Sequence, residues 1–332
     1  MEQNNVIWLP SAPKPPKQPV EIETMSSTSK PFIEANTIEA TFREIKHDHI
    51  IPVFVKDNQT LISHSDFVES AMDAVADVYN GESILKPAIR LSHPIKGRVP
   101  SAKDKPASHL LEHEKTIYYE RMAFIIEVPS IQSTVDGNTL SLTIGGVKSY
   151  SLDNLYTRKG SDEHFKVFVG FKNRVCTNLC VWTDGFLSDL KVSSLSQLSA
   201  AIYSLLVNYD QKTHLQQMGH LSQFSITERQ FAHFIGRCRM YPYVPIEERK
   251  AIPALMLTDT QINMVVKDYY KEHSFCRDSH GNINLWRLYN LFTEANKSSY
   301  IDQFVDRSVN SFGFVRELSQ NLENDVRHWY LS

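Results

Sequence analysis

The apolar period of this chain switches once, from two residues to three or four, and that switch constrains the fold more than any other feature. Ahead of Gly185 the runs Ala88–Leu91, Thr116–Val128, Thr139–Tyr150, Phe165–Lys172 and Val175–Trp182 read as strands, with Leu140, Leu142 and Ile144 alternating against Ser141, Thr143 and Gly145. Successive strand residues point to opposite faces, so the alternation specifies a sheet. Asp136-Gly137 is a hairpin signal because both residues tolerate positive φ. One helix precedes the strands: Ser65 or Asp66 caps a segment in which Phe67, Val68, Ala71, Met72, Val75, Val78 and Tyr79 share a face, and Asn80-Gly81 ends it. Beyond Gly185, Leu195, Leu198, Ile202, Leu205, Leu206 and Tyr209 keep helical spacing, extended by Leu215, Met218 and Leu221 into one long or broken helix. Capping boxes at Ser225–Glu228 and Thr258–Gln261 open further helices, and Leu285–Phe292 and Tyr300–Asn321 carry two more. The expected class is α+β, with a mainly antiparallel sheet in the first half and a helical second half.

Three regions follow. Residues 1–36 hold six of the 15 prolines and a Ser/Thr tract, which predicts a disordered tail. Residues 37–185 form the sheet-rich region and 186–332 the helical region; no Pro/Gly-rich linker separates them, so one compact unit and two domains both remain open. Lys+Arg 35 against Asp+Glu 38 excludes a generally basic nucleic-acid coat, so any such site must be a local patch. No apolar run approaches the ~20 residues of a membrane span. Met1–Asn5 lack a basic and an apolar signal region, and four cysteines are too sparse for a disulfide framework, so a reduced, cytoplasmic protein is expected. Cys176 and Cys180, four apart on a strand, read as small core hydrophobes on one face. Neither G-x-S-x-G nor a Walker-type loop is present, and no cofactor is expected.

Two cation-rich patches stand out. Arg90, Lys96 and Arg98 lead into Lys166, Lys172 and Arg174, and in Phe165–Arg174 the odd positions Phe165, Val167, Val169 and Phe171 point one way while Lys166, Phe168, Gly170, Lys172 and Arg174 point the other. That second face predicts a single-strand platform, with cations tracking phosphates and Phe168 stacking a base. The alternative is that Phe168 packs under the helical half and the lysines sit at its rim. The second patch is Arg229, His233 and Arg237, spaced by four along one helix face, as a phosphate-tracking helix or a solvated face requires. A metal candidate is His109-Leu110-Leu111-Glu112-His113, which matches H-x-x-E-H if helical, since two histidines one turn apart bind zinc while the glutamate activates water. His273, Cys276 and His280 make a weaker set that reads as a loop, and Asn296–Ser299 reads as an inter-helix loop where a cap and Lys297 could hold a phosphate.

The strings Ile89–Arg98, Tyr118–Met122, Gly145–Lys148, Phe165–Cys176 and Asn296–Asp302 resemble one bacterial family known only as a domain of unknown function, number 3871 in its series, from about residue 37 onward. Val175–Asn178 and Leu285–Asn290 are similar to a broader group of phage- or plasmid-like proteins. The resemblance implies a gene carried on mobile elements and supplies no activity or cofactor. The expected function is therefore nucleic-acid binding without catalysis, with single-stranded DNA or RNA as partner and no membrane. The alternatives are a metal-dependent hydrolase centred on His109, Glu112 and His113, and a protein–protein adaptor or anti-host factor.

Overall fold

The computed structural model describes residues 31–49, 51–52, 61–150, 162–271 and 277–331. The α+β expectation holds. Strands β1 (Ile38–Ala40), β3 (Ala88–Leu91), β6 (Arg121–Val135), β7 (Asn138–Ser149), β8 (Glu163–Asn173) and β9 (Leu179–Val192) pair antiparallel, in that order, into the main sheet. Strands β2 (Ile51–Pro52), β4 (Pro94–Arg98) and β5 (Lys115–Tyr119) form a smaller one, and β10 (Ser225–Ile226) pairs with β11 (Ile283–Asn284). The β6–β7 hairpin turns at Asp136 (φ 45°) and Gly137 (φ 76°), as their residue types require.

Helix α1 is short (Phe42–His47), and α2 (His64–Val78) opens two or three residues earlier than read, because Ser63 accepts from the Asp66 amide while the Asp66 carboxylate reaches back. Helices α3 (Leu195–Asn208) and α4 (Gln211–Leu221) are the broken form of the long stripe; Asp210 caps the second through the Thr213 amide. There follow α5 (Glu228–Met240), α6 (Ile246–Arg249), α7 (Asp259–Tyr269), α8 (Leu285–Asn296) and the long α9 (Ile301–Glu323).

The main sheet is buried on both faces, which decides the fate of the first cationic patch. One face carries Phe165, Val167, Val169 and Phe171 into a core shared with Phe67 of α2, Leu198 and Ile202 of α3, Trp286 of α8 and Phe312 of α9. The other carries Ala123, Ile125, Val147, Phe168 and Val181 against Phe32, Ile33 and the first turns of α9, where Ile301, Phe304 and Val305 cover them. Phe32 and Ile33 fall within the stretch assigned to the tail. The hairpin tip also reaches the helical half: the Asp136 carboxylate accepts from Asn284 Nδ2 at 3.0 Å and Arg287 Nε at 3.1 Å, at the start of α8.

Candidate nucleic-acid interface

Phe168 does not stack outward. It keeps the predicted face, but that face is covered by α9 and its ring is 1% exposed. Opposite it in register stands Gly145, and a Cβ there would lie 2.4 Å from Phe168 Cζ. The glycine admits a ring of the chain itself rather than a base.

The cations of that face are also engaged. Lys166 donates to the Asp302 carbonyl at 2.7 Å and pairs with Asp306 on α9. Lys172 is buried against Glu127 at 2.7 Å, and Ser141 Oγ donates to the same carboxylate. Arg98 is buried and donates to the carbonyls of Ala102 at 3.1 Å and Lys103 at 3.0 Å, which makes it the peg of a loop. Arg90 is half-buried and donates to Thr37 O at 2.8 Å; desolvation lowers its pKa, with Glu39 opposing. Lys96 is exposed on β4, in the smaller sheet. Arg174 is exposed too, but beyond the end of β8, where it reaches Gln132 at 3.4 Å. These residues therefore do not converge on one open track. A cleft of about 400 Å³ opens beside Lys166, yet its lysines face carboxylates: Asp306 for Lys166 and Asp189, at 3.0 Å, for Lys191.

The metal candidate loses its geometry. His109 closes one 3-10 turn and Glu112 opens another, with Leu110 (ψ 127°) and Leu111 (ψ 158°) extended between them. The two histidines thus do not stack one turn apart on a helix, and Glu112 is held by Lys115 at 2.5 Å. His273 and Cys276 lie outside the described residues. Cys176 sits in the β8–β9 turn rather than on a strand with Cys180, and burial pushes both thiols up, away from the thiolate form. Lys297 is buried, donating to Cys176 O and to Glu294 at 2.7 Å, so the phosphate reading of Asn296–Ser299 fails as well.

The second patch faces solvent in part. Helix α5 opens on a capping box of Thr227 with Gln230, two residues beyond the Ser225–Glu228 box expected, because Ser225 pairs in β10, and it turns Phe231 and Phe234 into the core. That orientation leaves Arg229 and His233 exposed, with Arg237 half-buried one turn further on. Four residues rise about 6 Å, so the three groups span about 12 Å. Arg237 Nε donates to His233 Nε2 at 3.1 Å.

The stripe continues past the helix through residues that sequence spacing did not single out. The Arg237 guanidinium lies 4.6 Å over the Trp329 ring. Trp329 meets Tyr241 edge-to-face at 6.4 Å, and Arg249 covers Tyr241 at 5.8 Å. Tyr330, buried, stacks behind Tyr241 at 6.3 Å and donates to Pro253 O at 3.0 Å, which fixes the ladder to the body of the protein. Among the described residues neither Arg229 nor Arg249 makes an ion pair, while Arg239 is held by Asp259 at 3.2 Å. The missed signal was the local density of aromatics, Tyr241-Pro242-Tyr243 in the middle of the helical half and Trp329-Tyr330 at its end.

No helix of the described residues is long and apolar enough to cross a membrane. The model of a family described as "Domain of unknown function, B. Theta Gene description (DUF3871)" matches residues 17–331. No curated protein and no solved structure matches the chain.

Proposed function

We propose that this chain, which belongs to the domain-of-unknown-function family DUF3871, is a non-catalytic nucleic-acid-binding protein. Its contact surface is the Arg229–His233–Arg237 face of α5 together with the aromatic ladder that continues it. The observation that carries this reading is the alternation Arg237, Trp329, Tyr241, Arg249, with separations of 4.6, 6.4 and 5.8 Å. A guanidinium stacked on a ring, as that of Arg249 is on Tyr241, is held in place at little entropic cost while its N–H fork stays aligned for phosphate oxygens. An exposed Arg229 adds charge at the far end of the stripe. The association with mobile elements, implied by the phage- and plasmid-like strings, belongs to the same proposal.

The reading is tested by fluorescence anisotropy of a labelled oligonucleotide with the full chain at low salt. Arg229→Ala with Arg249→Ala is expected to weaken binding about ten-fold or more, the scale of lost charge-assisted contacts. Lys166→Ala is expected to change affinity little, because Lys166 is committed to α9. No binding by the wild-type chain, or equal affinity for the double variant, overturns it.

A further inference from the structure

We infer that this surface selects unpaired bases, and that Tyr243 is the ring on which a base stacks. The inference rests on the nucleic-acid reading above and names its substrate class, a single-stranded polynucleotide. Tyr243 closes the 3-10 turn Tyr241–Tyr243 that follows α5 directly, and it is 87% exposed. An aromatic side chain gives up a large hydrophobic gain by standing in water to that extent. The position is also firm. Pro242 restricts the backbone inside the turn, the Val244 amide donates to Tyr241 O at 3.2 Å, and Tyr241 itself is held in the ladder between Trp329 and Arg249.

Three residues per turn stack positions i and i+3 in a 3-10 segment. Met240 thus shares the side of Tyr243 and is 56% exposed, and Ile246 beyond it is 67% exposed. The exposed apolar tip precedes Arg249 on the next helix; of the acids there Glu247 is held by Lys250 at 2.8 Å, and Glu248 is exposed beside Arg249. An exposed ring on a fixed backbone turn, with Arg249 on the helix that follows, complements a polyanion whose bases are free to leave their stack. Every base has a π-face, so such a ring tolerates any sequence. In a duplex the bases are already stacked and paired, so only the phosphate contacts remain.

The test compares full-length wild type and Tyr243→Ala by anisotropy against three probes: a single-stranded deoxyoligonucleotide, the ribo-oligonucleotide of the same sequence, and the corresponding duplex. Wild type is expected to favour the single strands, and Tyr243→Ala to lose about ten-fold or more of that affinity. The ratio of single-strand to duplex affinity then collapses towards one, and Tyr243→Trp restores it. Preference for one of the two single strands assigns the sugar class. Equal weakening of single-strand and duplex binding by Tyr243→Ala, or no weakening, overturns the stacking role while leaving the phosphate contacts standing. Failure of the wild type to bind any of the three probes overturns both readings.

Discussion

Phe168 and Gly145 face each other across β7 and β8 so closely that a methyl group on the glycine would stand 2.4 Å from the ring carbon Cζ. The ring therefore lies flat on the strand, beneath Ile301 and Phe304 of α9. Truncating a buried phenylalanine costs about 3–5 kcal/mol from lost burial and the cavity left behind. Phe168→Ala should lower the unfolding free energy by that amount in urea titrations. Below its unfolding transition, the variant should bind a labelled oligonucleotide as the wild type does. Lost binding by a folded variant would return Phe168 to the interface.

Lys172 and Glu127 form a buried pair at 2.7 Å. Removing one partner strands the other charge, at a cost of about 3–5 kcal/mol, whereas replacing both by apolar groups of similar size is often neutral. Lys172→Met is expected to be strongly destabilising. Adding Glu127→Leu and Ser141→Ala should recover most of the loss. Equal stability of the single and combined variants would contradict a charge-based account.

Buried histidines set the pH dependence below neutrality; burial lowers the pKa of His328 as well as those of two others. Burial lowers the pKa of His64 to about 3 and that of His214 to about 3. His64 Nε2 lies 2.8 Å from Tyr119 O with no partner at Nδ1, and Tyr209 Oη lies 2.5 Å from His214 Nδ1. Both folded-state values lie below the unfolded 6.5, so the unfolded chain binds protons first as the pH falls. The stabilisation is complete above about pH 6.5 and erodes between there and about pH 3, by up to about 1.4 kcal/mol per unit for each histidine. Urea midpoints at pH 7, 6 and 5 should fall accordingly. His214→Gln should reduce the slope, and an unchanged slope would show that His214 is not a titrating group.

The alternation over Phe165–Phe171 was legible because period two is a local property, and every odd side chain went where the pattern sent it. What covers the opposite face was not legible, since Phe304 comes from the far end of the chain and the partners of Lys172 and Lys166 lie 45 and 140 residues away. Lone cations in a sequence window look free until folding supplies their carboxylates. His109 and His113 satisfied a helical motif, but extended Leu110 and Leu111 break the helix that the motif needs. The Arg229, His233, Arg237 stripe was legible because the core residues Phe231 and Phe234 fix the rotation of α5. Its extension through Trp329 was not, because a tertiary contact between residues of two distant segments has no sequence period.

The salt dependence of oligonucleotide binding tests the central claim most directly. Each phosphate neutralised on a single strand contributes about −0.7 to the slope of log K against log salt. Between about 50 and 200 mM salt, the wild type should therefore show a slope of roughly −2 to −3, and Arg229→Ala with Arg249→Ala should flatten it by about one unit. A wild-type slope near zero, or an equal slope in the double variant, would contradict a phosphate-tracking stripe on α5.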